Sequence, residues 1–460
     1  MKSSFYNMYI PLEDGSYALH NKITGALFVV DEETRKIITN VDSRESELDG
    51  KTLDIFKENG VLLEDSEDEI ARIRYRYDEI RYNPQLVSFV IAPTSLCNLS
   101  CRYCVQRTDE SMVEKNPQIT TMSDSTVNSV LTFVKRMTET CNTKTLPVCF
   151  HGGEPLMAKQ LVLHMLQDLD KWRTERSLGM KVSFFTNGTL FDKPFIDELG
   201  QYDIHFVRIT FDGPEEIHNQ FRHFKNGKGT YQQIVTNIGM LQDAQMRVKI
   251  HININKYYTR VEELLDDFTE RGFTNVSVEP FPVFDPFVTI PEIQKHYGVL
   301  DESFPSSESE YAVLFRKMVE ARNYMYAAVF KRGFKPPTSP LGMWTPCDGP
   351  RAYHFVVGPA GEVYKCQGCI LMKNLHVGRI REDGFFEKYP LFYKWMSIDP
   401  TTIEACRVCI YLPSCGGGCV AARHLGSLPY FCEVSSYLGE DYIKTSLERT
   451  YPELFQSKDE

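Results

Sequence analysis

Three thiols stand close together in Cys97-Asn98-Leu99-Ser100-Cys101-Arg102-Tyr103-Cys104, a Cys-x3-Cys-x2-Cys spacing that follows the apolar run Leu86 to Ala92. Thiolates are the usual ligands of iron-sulfur clusters, and a cubane has four irons, so three protein ligands leave one iron open to another molecule. A structural zinc site is the alternative, but such sites are normally closed by a fourth ligand, and the next thiol is Cys141. Eight more thiols crowd toward the C-terminus: Cys347, Cys366, Cys369, then Cys406-x2-Cys409-x5-Cys415-x3-Cys419, and last Cys432. They make two sets of four, and spacing alone leaves two zinc ribbons and two iron-sulfur clusters both open. The Cys415-Gly416-Gly417-Gly418-Cys419 stretch lets the backbone fold tightly around a cluster and direct amides at its sulfurs. Cys141 and Cys149 fall outside every ligand pattern and read as structural thiols.

Three polar stretches accompany the thiols. Gly152-Gly153-Glu154-Pro155 offers two positions of close backbone approach beside a carboxylate able to accept a hydrogen bond from an ammonium group. Phe185-Thr186-Asn187-Gly188-Thr189 is either a plain Asn-Gly turn or a turn whose hydroxyl and amide groups meet a ligand. Arg208-Ile209-Thr210-Phe211-Asp212-Gly213-Pro214 precedes His218 and Arg222, and an Arg binds a carboxylate bidentately. A lone His at a strand end is usually packed, so His151 is given no role.

These stretches need a frame. Six β-rich runs, Leu86–Ala92, Val148–Phe150, Lys181–Phe185, His205–Phe211, Val248–Asn255 and Asn275–Glu279, alternate with amphipathic windows at Ser125–Met137, Leu161–Trp172, Tyr231–Gln242 and Val261–Glu270. Repeated βα units imply an α/β fold with a parallel sheet and right-handed crossovers. In such a sheet functional residues sit at the strands' C-terminal ends, and each motif falls there. Residues 84–300 are therefore expected to be the catalytic core. Before it, residues 1–83 read as a winged-helix-like unit of short antiparallel strands and helices, closed by a connecting helix over Glu67–Tyr82 with Ile70, Ile73, Tyr77 and Ile80 on one stripe. After it come a helical connection over 301–340, the Cys-rich domain over 341–440 and a tail over 441–460.

The Cys-x3-Cys-x2-Cys loop, Gly152-Gly153-Glu154-Pro155 and the C-terminal cysteines together resemble radical S-adenosylmethionine (radical SAM) enzymes with a SPASM domain, specifically maturases of ribosomal peptides. The resemblance spans about residues 6–440. It implies an open, partial (β/α)6 barrel of the TIM type for the six βα units, three 4Fe-4S clusters and S-adenosylmethionine, whose amino and carboxylate groups chelate the open iron held by Cys97, Cys101 and Cys104. Cleavage would yield methionine and a 5′-deoxyadenosyl radical. Gly152, Gly153, Glu154 and Pro155 would hold the methionine amino group, Thr186 and Asn187 the ribose side, Thr210 and Arg222 the carboxylate, and Tyr103 would pack by the adenine. Cys406, Cys409, Cys415 and Cys432 would ligate an outer auxiliary cluster, and Cys347, Cys366 and Cys419 an inner one. Cys369 would complete the inner cage or lie beside an open iron. The N-terminal unit looks like a leader-peptide recognition domain that captures a precursor by strand addition, and a flavodoxin- or ferredoxin-type reductant would supply electrons.

The chain departs from anaerobic sulfatase maturases at two points. They carry another Cys soon after the first of the inner set, where this chain has Asp348-Gly349-Pro350, and an Asp proton acceptor after the Gly-x4-Cys thiol, where it has Gln367. An amide is no useful proton acceptor at neutral pH. The substitution argues against sulfatase maturation, and within the class of peptide maturases the expected product is a Cys thioether on the precursor peptide. Carbon-carbon cross-linking, side-chain maturation of a sulfatase or amine dehydrogenase, and a non-enzymatic zinc-binding peptide scaffold are the alternatives. The net charge of −11 argues against nucleic acid or an anionic membrane surface as partner. The first residues have no apolar signal region and no stretch is long enough to span a membrane, so a cytoplasmic setting is expected, where Cys-rich chains are metal proteins sooner than disulfide proteins.

Overall fold

Alternation along the strands decides which side chains face the interior. In Ile204–Phe211, Val207, Ile209 and Phe211 are fully buried toward the helices, so Arg208 and Thr210 take the opposite, inward register positions. The computed structural model describes residues 1–101, 103–104, 121–255, 257–273, 276–282, 308–334, 347–424, 444, 447–448 and 451. Cys432, the greater part of 441–460, and 301–307 and 335–340 of the expected connection lie outside the described residues.

Residues 1–83 contain a three-stranded antiparallel sheet, with β1 (Lys2–Ser3) outside it, made of β2 (Asn7–Pro11), β3 (Tyr17–Asn21) and β4 (Leu27–Val30). β1 pairs instead with β5 (Leu62–Leu63). Helices Glu32–Thr39 and Gly50–Glu58 start at Asp31 and Asp49, whose carboxylates accept from Thr34 and Thr52 amides and satisfy otherwise orphaned donors. Helix Glu69–Arg81 buries Ile73 and Tyr77, the centre of the expected stripe.

The core sheet holds β6 (Ser88–Ile91), β7 (Thr145–Phe150), β8 (Gly179–Thr186), β9 (Ile204–Phe211), β10 (Val248–Ile254) and β11 (Val276–Pro282), all parallel and in sequence order. This is the expected six-stranded array. Helices Asp124–Thr140, Lys159–Glu175, Tyr231–Asp243 and Val261–Glu270 cover its outer face, and two seven-residue helices, Lys193–Leu199 and Glu215–Phe221, were too short to declare a period in the sequence.

The sheet does not stop at β6. β12 (His354–Val357) pairs parallel with it, and β13 (Glu362–Tyr364), β14 (Gly378–Ile380) and β15 (Phe386–Lys388) continue antiparallel to make ten strands. An open barrel leaves the β6 edge unpaired, and the Cys-rich segment satisfies it. Phe89, Phe133, Phe355 and Phe386 pack ring against ring across that seam. The N-terminal unit packs on the same segment: Tyr6, Ile23 and Ile73 share an apolar cluster with Cys406 and Leu412.

Candidate functional site

The loop that delivers Cys97 lies against the end of β7. His151 N–H donates to the Ile91 carbonyl at 2.9 Å, Gly153 N–H to Thr94 at 3.2 Å, and Glu154 N–H to Leu96 at 2.8 Å. A Cβ on Gly152 (φ +135°) would fall on the Thr94 carbonyl oxygen, and one on Gly153 on those of Ser95 and Leu96. The close backbone approach read from the two glycines is thus made to the chain's own cysteine loop. Glu154, with no exposure, accepts from Thr186 Oγ1 (2.7 Å) and Leu156 N–H (3.0 Å) on one carboxylate oxygen and from Asn187 N–H (2.7 Å) on the other. Burial raises its pKa and these hydrogen bonds oppose the rise. Pro155 opens the short helical turn that follows.

Asn187 ties this turn to the cysteine loop. Its amide donates to Asn98 Oδ1 at 2.8 Å and lies 3.8 Å from Cys97 Sγ, while its Oδ1 accepts from Thr189 N–H (2.9 Å) and Oγ1 (2.7 Å). Asn98 closes the ring by donating to Thr189 Oγ1 at 2.9 Å. The thiols of Cys97, Cys101 and Cys104 act on one another electrostatically, but burial is the larger influence and pushes Cys97 up to about 11 and Cys101 up to about 12. Such thiols keep their protons until a metal cation replaces them, which is the behaviour of a cluster ligand. Among the described residues no three His, Cys, Asp or Glu side chains close on a single ion position. Cubane ligands each bind a different iron and stand farther apart than the ligands of one zinc.

A second network centres on Tyr103. Its hydroxyl donates to Asp212 Oδ2 (2.9 Å) and accepts from Arg222 Nη1 (2.6 Å) and Asn253 Nδ2 (2.9 Å), which fills a phenol's capacity. The ring packs against Ile217 and Phe221. Asn253 also donates to Asp212 Oδ1 at 2.8 Å, and Asn255 to the Asp212 carbonyl at 2.7 Å. Desolvation opposes the charge on Arg222, yet Tyr103, Cys101 and Asp212 outweigh it and hold the guanidinium charged. Arg222 Nε is buried without a hydrogen-bond partner, a donor left over for a carboxylate. Thr210 sits on the inward face opposite His251. Beside it Arg208 bonds His251, lies 3.4 Å from Glu279 and stacks 5.0 Å from the Phe185 ring centre, so the interior holds a compensated charge.

The C-terminal thiols converge from distant segments. Desolvation pushes the Cys347 thiol up, and Cys419 and Cys366 add to the shift, so those three share one neighbourhood. Cys369 is fully buried one turn after Cys366, where its charge reaches Tyr364. Cys406 and Cys409 bracket a short helical turn, Cys409 N–H donating to the Cys406 carbonyl at 3.1 Å. Cys415 ends the next turn, and Gly416, Gly417 and Gly418 follow with φ of 55°, 84° and 76°, a left-handed run that only glycines take at low cost.

The sequence did not single out Asn98, Asp212 as an anchor, Asn253, Asn255, Arg208, Lys22 or Arg423. A signal existed for some: His251-Ile252-Asn253-Ile254-Asn255 alternates polar and apolar, which puts its polar residues on one face.

Residues 91–270 match the family model of the Radical SAM superfamily. The chain is similar to a cysteine-type anaerobic sulfatase-maturating enzyme of Clostridium novyi (strain NT), 25% identical over 344 residues, or 72% of this chain and 87% of that one. Among solved structures, native anSMEcpe with bound AdoMet aligns at TM-score 0.57 and 22% identity, over 80% of this chain and 97% of that chain. Streptococcus suis SuiB bound to precursor peptide SuiA aligns at TM-score 0.50 and 16% identity, over 94% and 98%. Among the described residues no helix is long and apolar enough to cross a membrane.

Proposed function

We propose that this chain, a radical SAM enzyme by its 91–270 domain, is a SPASM-type maturase that joins a Cys sulfur of a ribosomal precursor peptide to a carbon of the same peptide. The observation that carries the reading is that Cys347, Cys366 and Cys419, far apart in sequence, lie within electrostatic reach of one another, as Cys97, Cys101 and Cys104 do in the barrel. When bound, the cluster and S-adenosylmethionine supply a radical able to remove hydrogen from an unactivated carbon, which no side chain's acid-base chemistry achieves.

The chain's own residues prepare that site. Cys97, Cys101 and Cys104 would hold the first cluster, Glu154 would face the methionine ammonium through its less occupied oxygen, and Arg222 would use its Nε, which makes no hydrogen bond, for the carboxylate. Asp212 and Tyr103 keep Arg222 aimed and charged. Cys347, Cys366 and Cys419, with Cys369 as a fourth ligand or neighbour, would hold the inner cluster, and Cys406, Cys409, Cys415 and Cys432 the outer. A peptide leader would add to β4, whose only strand partner among the described residues is β3 and whose Val29 is exposed. SuiB, solved with its precursor peptide, supports a peptide substrate.

Similarity to the Clostridium novyi enzyme favours a second reading, maturation of a sulfatase side chain. Gln367 stands against it for want of a proton acceptor there. The deciding experiment is anaerobic iron and sulfide quantitation with chromatography for 5′-deoxyadenosine, followed by mass spectrometry of an added Cys-containing precursor. About twelve irons per chain, deoxyadenosine and a peptide lighter by two hydrogens are expected. Iron and deoxyadenosine with oxidation of a sulfatase peptide to an aldehyde would select the second reading.

A further inference from the structure

Lys22, just past β3, is 3% exposed, and its ammonium has no hydrogen-bond partner. The Tyr411 ring centre lies 4.7 Å from Nζ. Tyr6, whose carbonyl accepts from Lys22 N–H at 3.0 Å, is equally buried, and its hydroxyl is also unpartnered. The charge of Cys409 acts on both groups, raising the pKa of each against or alongside burial. A buried, unpaired ammonium costs several kcal/mol unless an anion stands near it. A cubane held by four thiolates is such an anion, negative in both oxidation states and more so when reduced.

Arg423 approaches the same thiols separately. Its Nε donates to the Gly417 carbonyl at 2.7 Å, which fixes the guanidinium plane, and Nη2 donates to Cys406 Sγ at 3.6 Å. Other charges nearby are already engaged: Arg407 donates to the Thr401 carbonyl, and Glu69 accepts from Ser4 Oγ and Phe5 N–H. The inner set has a buried cation too, but Lys365 spends its protons on the Arg351 and His354 carbonyls.

We propose that Lys22 and Arg423 are positioning residues of the outer auxiliary cluster that raise its reduction potential, Lys22 being contributed by the N-terminal unit. The inference rests on reading Cys406, Cys409 and Cys415 as ligands of that cluster. Reduction adds one electron from an external low-potential donor, with no bond or proton changed, and fixed cations stabilise the added charge. The N-terminal unit is thereby an electrostatic part of the redox centre.

The test is an EPR-monitored redox titration with dithionite, in a background where Cys97, Cys101 and Cys104 are Ala so that only auxiliary clusters report. Lys22→Met and Arg423→Gln should each shift one of the two midpoints to lower potential, the double variant most, with Arg423→Lys recovering part of the shift. The other midpoint should stay in place. Full iron and sulfide content with both midpoints at their original values in the double variant would overturn the proposal. Zinc, or no iron, at these thiols would instead overturn the cluster reading itself and the proposal with it.

Discussion

Around Cys97, the polar neighbours Asn98, Glu154, Thr186, Asn187 and Thr189 hydrogen-bond one another, and nearby the buried Arg222 Nε makes no hydrogen bond. Around Cys409, the buried Lys22 Nζ and Tyr6 Oη have no hydrogen-bond partner, and the surroundings are two apolar patches shared between the N-terminal unit and the 403–412 segment. The first site is therefore held by protein-protein bonds that exist without any cofactor. The second is assembled from pieces that need something charged between them. Preorganisation and dependence on a metal are distributed unequally within one chain.

The largest consequence is for metal removal. Stripping iron would leave the Lys22 ammonium without its anion, and an uncompensated buried charge costs about 3–5 kcal/mol. Hydrogen exchange should then accelerate at residues 403–419 and over β2 and β3, while β6 to β10 and the Gly152–Asn187 contacts keep their protection. Lys22→Met should lessen the change at the junction. Equal loss of protection in both regions would erase the distinction between them.

A smaller effect is expected where the first site is made rigid. Gly153→Ala sets a methyl group onto the Ser95 and Leu96 carbonyl oxygens, which are backbone and cannot swing aside. Overpacking of this kind costs on the order of 1–3 kcal/mol, and here the strain falls on the loop that carries Cys97. Iron content should drop by about four of twelve atoms with deoxyadenosine formation lost, the C-terminal clusters being retained. A variant with full iron and normal deoxyadenosine yield would mean that the loop is not positioned by this contact.

The same contrast governs what the sequence disclosed. The cysteine spacings, the six βα units and the N-terminal strands were legible because ligand chemistry and periodicity are local, and β9 and helix Val261–Glu270 fall almost where alternation and amphipathicity place them. The extension of the sheet through β12 was not, because which edge a strand completes depends on closure of the whole array. Tyr103 was visible only as an aromatic between two ligands, whereas its hydroxyl joins residues 109, 119 and 150 positions away. Lys22 reads in sequence as an ordinary surface lysine after a strand. Its ammonium lies over the ring of Tyr411, far along the chain, and no local pattern encodes that.

A last effect separates the two regions by acid. His20 in β3 is 1% exposed between Met8 and Leu27 on the adjoining strands, and neither ring nitrogen has a hydrogen-bond partner. Burial first, then the charge of Lys22, lowers its pKa from 6.5 to about 4. Histidines of the core are held differently: His151 Nδ1 accepts from Gly152 N–H, His218 Nε2 pairs with Thr230 Oγ1 and His354 Nδ1 with Ser88 Oγ. Because the folded state refuses a proton that the unfolded chain accepts, the contribution of His20 is intact above pH 6.5 and is lost as pH falls from 6.5 toward 4. The span corresponds to about 3 kcal/mol at 1.36 kcal/mol per unit. His20→Leu removes the titrating group and two unpaired buried nitrogens while keeping an apolar side chain between Met8 and Leu27. The difference in exchange protection of β2 to β4 between the two proteins should therefore widen steadily from pH 6.5 down to 4, with β7 to β10 changing equally in both. A difference that stays constant over that range would place the acid response of the N-terminal unit in some other group.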